Sequence, residues 1–131
     1  MEMTRGEMID KFTILAMKAK YSTKMATLFN RYYKEIIQLK DSIVILPMII
    51  DLAQVNAKIW ENEAKIREEF TSDPAAQGTP LSLEGVGRIA LLIRGYNKER
   101  VELINQINEY FGDPNEIKIN HVAEITSSEE E

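Results

Sequence analysis

Two long stretches of this chain carry apolar residues at steps of three and four, and both stripes are broken by polar groups that a buried stripe should not contain. Over 47–70, the residues Ile49, Leu52, Ala53, Asn56, Ile59, Trp60, Glu63, Ile66, Arg67 and Phe70 share one face of a helix. Over 83–111, Val86, Ile89, Ile93, Tyr96, Asn97, Arg100, Leu103, Ile104, Ile107 and Phe111 do the same. This period is that of a helix with one buried face. Burying a charge is costly unless it is paired. The fold therefore has to hold a polar layer inside its core, or to line a wet pocket there.

The rest of the chain adds two shorter helices. Thr4-Arg5-Gly6-Glu7 reads as a capping box, with Thr4 as the cap and Glu7 reaching back. The helix it opens is expected to run to about Tyr21, with Met8, Phe12, Leu15, Ala16 and Ala19 inward. Glu7, Asp10, Lys11, Ile14, Met17, Lys18 and Tyr21 fall on the opposite, charged face. Ser22 or Thr23 restarts the chain, and Met25, Leu28, Phe29, Tyr32, Ile36 and Leu39 mark a second helix ending near Asp41-Ser42. Residues Ile43–Leu46 fit either an extended connector or the first turns of a helix kinked at Pro47; the third helix is read over 47–71. Thr71–Leu83 is a loop of Asp-Pro, Gln-Gly and Thr-Pro pairs. Thr79 or Ser82 caps the fourth helix, and Gly112 with Asp113-Pro114 stops it. The expected fold is an all-α, antiparallel four-helix bundle with a long hairpin of helices 3 and 4. One domain, 1–125, includes a short C-terminal arm with a weak apolar alternation at Ile117, Ile119, Val122 and Ile125. An acidic tail, 126–131, is expected to be disordered.

Bulk properties remove several function classes. The 131 residues suffice for one core. A net charge of −5 argues against sequence-independent nucleic-acid binding, which needs a basic surface. There is no cysteine, which excludes disulfides, thiolate catalysis and cysteine-bound zinc. A single histidine, His121, cannot build a multi-histidine metal site within one chain, and it is expected to be exposed on the arm. The N-terminus has no signal-peptide pattern, and the longest apolar run, Ile43–Ile50, is too short to span a bilayer. A cytoplasmic protein, bacterial or phage-encoded, is expected, with no membrane partner and no cofactor.

The polar residues of the stripes are the candidate site. Glu63 and Arg67 are four apart and can pair on one helix, and Trp60 needs a partner for its indole N–H when buried. The plainer reading is a register-fixing polar layer, with Asn56 facing Asn97 and Glu63 facing Arg100. The sharper reading is a ligand site: two arginines against one glutamate leave surplus positive charge for an anion, unless Asp10 or Glu7 neutralises it. Glu7 and Asp10, like Glu99 and Glu102, are carboxylates one turn apart, a spacing that can hold Mg²⁺, although Glu7 is already engaged in the cap. Gly85 and Gly87 do not form a phosphate loop; they are read as allowing another helix to approach closely.

At this point three strings resemble a known family. Gly6-Glu7-Met8-Ile9-Asp10-Lys11-Phe12-Thr13-Ile14-Leu15 with Lys18 is similar to the opening motif of the uncharacterised DUF6165-type helical proteins. Val55-Asn56, Ile59-Trp60, Glu63 and Ile66-Arg67 resemble their second motif, and Ile93, Asn97, Arg100, Ile104 and Ile107-Asn108 their third. The last two are also similar to the DUF4254 proteins. The resemblance covers about half of the chain. It implies a small all-helical domain of the kind found beside sugar-polymer genes and in phages, and it implies no activity. It joins Glu7, Asp10, Lys11, Lys18, Asn56, Trp60, Glu63, Arg67, Asn97 and Arg100 into one constellation.

The leading expectation is a non-enzymatic binding protein, homo-oligomeric through its first two helices. Its ligand-binding residues are Lys11, Lys18, Asn56, Trp60, Glu63, Arg67, Asn97 and Arg100, and its ligand is a small anion such as a nucleotide or sugar nucleotide, or a partner's acidic group. A phage protein of this kind could sequester its ligand. The alternatives are a structural protein–protein interaction module and a Mg²⁺-dependent nucleotide phosphohydrolase acting through Glu7, Asp10 and Glu63.

Overall fold

The computed structural model describes residues 3–71 and 82–115. They form helices α1 (Arg5–Lys18), α2 (Thr23–Ile37), α3 (Leu46–Thr71) and α4 (Leu83–Phe111), and no strand occurs among the described residues. A single 3₁₀ turn, Ala19–Tyr21, follows α1. The expected arm, the acidic tail, His121 and most of the loop before α4, Thr79 included, lie outside the described residues.

Local chemistry sets the helix ends. Thr4 Oγ1 accepts the Glu7 N–H at 3.1 Å, Ser22 Oγ that of Met25 at 3.3 Å, and Ser82 Oγ that of Gly85 at 2.9 Å. Each supplies one of the acceptors that a helix start lacks. At the other end of α4, Gly112 adopts φ 78°, a left-handed conformation that suits a residue without a Cβ, and its N–H returns to Glu109. Pro47 sits in the first turn of α3, where its missing N–H costs nothing. The helix α2 stops at Ile37, four residues short of its expected end. From Gln38 to Ile45 the chain makes turns rather than an extended connector. Asp41, at φ 62°, reverses the chain there, and the Val44 and Ile45 N–H groups both return to its carbonyl.

The core centres on Ile9, Ile36, Ile45, Leu52, Ile104 and Ile107, so every helix and the α2–α3 connector contribute to it. Helix α4 packs on both α1 and α3, and α3 is its most extensive neighbour. Helix α2 packs on α1, where Phe12 stacks on Phe29 with ring centroids 4.9 Å apart. In the two stripes, Ile59 is buried as expected, whereas Ile93 is only half-buried and Glu63 is exposed.

The face that α1 turns inward differs from the expected one. Gly6, Ile9, Asp10 and Thr13 are its buried residues, while Met8 and Phe12 sit at the core's edge and Ala16 is exposed. Asp10, expected on the charged face with Glu7 and Lys11, belongs to the interior. The close approach expected at Gly85 and Gly87 is absent at Gly87, and one occurs at Gly6. A Cβ there would collide with the Ile104 carbonyl oxygen and lie 2.6 Å from Asn108 Oδ1, which accepts the Gly6 N–H at 2.7 Å. A Cβ on Gly87 would meet nothing within 4 Å.

This contrast yields a paired prediction. Gly6→Ala forces α1 away from α4 and is expected to destabilise the fold by about 1–3 kcal/mol, the range for overpacking. Gly87→Ala, on an exposed helix surface, is expected to stabilise it by about 0.5–1 kcal/mol. Urea unfolding of both variants measures the two changes, and equal effects would contradict the packing of Gly6 on α4.

Candidate functional site

Three helices meet at one carboxylate. Asp10, on α1, is only 2% exposed. Arg100, on α4, closes on it side-on: Nε donates to Oδ1 at 2.9 Å and Nη2 to Oδ2 at 2.6 Å. Asn56, on α3, donates from Nδ2 to Asp10 Oδ1 at 2.9 Å and to Thr13 Oγ1 at 2.8 Å. Thr13 Oγ1 in turn donates to the Asp10 carbonyl at 2.8 Å. Both carboxylate oxygens are thus engaged, and the bidentate fork is the strong, directional form of an arginine–carboxylate pair. The Asn56 amide can be oriented only one way here, because its N–H₂ must face the carboxylate.

The expected pairs are therefore corrected. Arg100 faces Asp10, the alternative neutralising acid, rather than Glu63, and Asn56 faces Asp10 and Thr13, not Asn97. The reason lies in α1. Its face, rotated from the expected one, brings the Asp10 carboxylate within hydrogen-bond distance of Arg100. Asn97 is half-buried and outside these bonds. Thr13 was missed altogether, although its position three residues after Asp10 puts both on one face of α1.

The remaining candidates are dispersed. Lys11 and Arg67 are exposed, and Glu7 is half-buried beneath the Thr4 cap. Lys18 holds its Nζ 5.9 Å from the centre of the Trp60 ring, and Trp60, half-buried, stacks on Tyr21 at 6.4 Å. The Lys18, Tyr21 and Trp60 cluster joins the end of α1 to the middle of α3 at the surface. A groove of about 330 Å³ runs between α3 and α4, lined by Asp51, Gln54, Lys58, Glu99, Glu102 and Gln106 among others. Its three carboxylates outweigh the single Lys58 ammonium, so it is not a seat for an anion. No group of three or more metal-ligating side chains occurs among the described residues.

Two further polar contacts hold the end of α4. Arg5 donates from its backbone N–H and from Nη1 to Asp113, at 2.8 and 2.7 Å. Tyr110 donates its hydroxyl to Asp41 Oδ2 at 3.0 Å. Desolvation, the hydrogen bond and the Asp41 charge all raise the Tyr110 pKa above its usual value of 10.0. Asn108 is fully buried and accepts the Gly6 N–H at its Oδ1, while its Nδ2 has no partner among the described residues.

No protein-family model, no curated protein and no solved structure matches this chain. No helix among the described residues is long and apolar enough to cross a membrane.

The Asp10–Arg100 pair is open to a double-mutant test. Arg100→Met leaves the Asp10 carboxylate buried without its cation. Loss of one partner from a buried pair costs roughly 3–5 kcal/mol, and the lower end is expected because Arg100 keeps 32% of its side-chain surface exposed. Asp10→Leu/Arg100→Met is expected to recover most of that loss. Glu63→Leu is expected to change stability by less than about 0.5 kcal/mol, as for other surface sites. Denaturant unfolding of the wild type, Asp10→Leu, Arg100→Met and the double variant measures the coupling; a coupling near zero would dismiss the pair as a stabilising unit.

Proposed function

We propose that this chain is a non-enzymatic interaction protein: an antiparallel four-helix bundle whose outer faces meet a protein partner, a second copy of itself included. What supports this reading is the closure of the Arg100 fork on Asp10. An internal site for a small anion needs surplus positive charge, and here the carboxylate and guanidinium neutralise each other inside three packed helices. A neutral polar layer of this kind selects one register among the helices, because any other leaves its members unpaired. A phosphohydrolase finds less support, since Asp10 is occupied by Arg100 and Asn56, and Glu63 stands exposed.

A second reading keeps the small anionic ligand, a nucleotide or sugar nucleotide, but seats it at the surface. It rests on Lys18, whose ammonium lies over Trp60 beside Tyr21, offering one cation and aromatic surface together.

The chain's single tryptophan separates the two. Under the interaction reading, nucleotides and sugar nucleotides up to millimolar concentration leave Trp60 fluorescence and the melting temperature unchanged. Saturable quenching of Trp60, abolished by Lys18→Ala, would replace it with the ligand reading. Light scattering at high micromolar concentration then tests whether the partner is a second copy.

A further inference from the structure

Charge is unevenly shared between the helices. Helix α2 carries Lys24, Arg31 and Lys34 against one acid, Glu35. Arg31 lies two turns after Lys24 and one turn before Lys34, so the three cations share a side, and all are exposed. Ile36, the buried residue of α2, lies on the opposite side. Among the α-helices, α2 packs on α1 and not on α3 or α4. Its basic side therefore has no neighbour among the described helices.

The complementary charge stands elsewhere on the molecule. The groove between α3 and α4 has an apolar floor, Val55 and Leu103, and its rim holds Asp51, Glu99 and Glu102, all exposed. Asn56 and Arg100 point from α3 and α4 toward Asp10 of α1. Asp51 and Glu102 lie on the far sides of the same two helices, so the groove opens away from α1 and from α2. A groove between two helices accepts the ridge of a third. Its charge selects a basic ridge, and Glu99 and Glu102 repeat the one-turn step of Arg31 and Lys34. The minority charges correspond as well: Glu35 on α2, Lys58 on the rim. Two copies would not pair through α2 alone, because cations would face cations.

We infer that α2 of one copy docks through Lys24, Arg31 and Lys34 into the acidic α3–α4 groove of a second copy. This rests on the interaction reading above, and it names the partner and both surfaces. The two halves of the contact lie on different sides of the chain, so copies join head to tail and the contact repeats from one to the next. Exposed ion pairs each contribute little, which makes the association weak and sensitive to salt.

Sedimentation velocity of the full chain at high micromolar concentration tests this. At low salt, species larger than a monomer are expected. About 1 M salt, where the screening length falls to roughly 3 Å, is expected to return them to the monomer. Arg31→Glu/Lys34→Glu and Asp51→Lys/Glu102→Lys are each expected to weaken association by about tenfold or more, because each sets like charges against one another. All four positions are exposed, so melting temperatures are expected to stay near that of the wild type. An equimolar mixture of the two variants is expected to associate again, since each reversed surface then meets its opposite. A monomeric wild type overturns the inference, and so does a mixture that stays monomeric. Variants that associate as the wild type does would put the contact on another face and overturn it too. None of these results bears on the nucleotide titration of Trp60, so the interaction reading stands or falls separately.

Discussion

Asp10 is the constraint to which the rest of the structure answers. A carboxylate that is almost wholly buried must find both a cation and further donors, or remain protonated. Here it finds Arg100 from α4 and Asn56 from α3, so one side chain of α1 sets the relative positions of three helices. The net contribution to stability need not be large, because two charges have been taken out of water to make it. Its weight lies in the alternatives it forbids. Sliding α4 by one turn along α1 would put Ile104, or in the other direction Tyr96 and Asn97, where Arg100 stands, and leave the buried carboxylate without its cation.

A second contact one turn away makes the same demand in steric terms. On α1, Gly6 precedes Asp10 by four residues; on α4, Ile104 and Asn108 follow Arg100 by four and eight. The backbone of α1 reaches Ile104 and Asn108 only because residue 6 has no side chain, and the Gly6 N–H, left free at a helix start, goes to Asn108. The charge pair thus fixes the register, and the glycine permits the short separation at which a side-on arginine fork can close. Asn108 Nδ2 is left without a partner among the described residues, which is a cost accepted for that approach.

How much of this was legible in the sequence follows from the range of each interaction. The starts of α1 and α4 and the stop at Gly112 were readable, because a cap acts within four residues of itself. The long stripes were readable too, since three-and-four spacing is a local property of a helix. The end of α2 was not. Leu39 continues the helical spacing, but the chain turns before it, and it reaches the core from the connector rather than from a helix. Asp10 was misplaced for a related reason. A helical wheel assigns a charged residue to water unless its partner is known, and that partner lies ninety residues away. Glu63, the one acid within the apolar stripe of α3, drew the pairing instead. The polar layer was foreseen, but its membership was settled by a tertiary contact that no local pattern encodes.

The location of the layer also bears on where function can reside. A site that recognises a ligand keeps some of its charge unspent until the ligand arrives. The Asp10 layer keeps little, because its formal charges cancel and its amide and hydroxyl are already bonded. What the bundle leaves unsatisfied is on the outside: the apolar residues around Ile43, the acidic groove between α3 and α4, and Lys18 above Trp60. The groove repels anions, and the apolar end offers nothing to orient a small polar molecule. Both suit a large partner, which can cover an apolar area and tolerate a carboxylate rim at once. The physical division is between an interior fixed by one ion pair and a surface whose chemistry is still open to exchange.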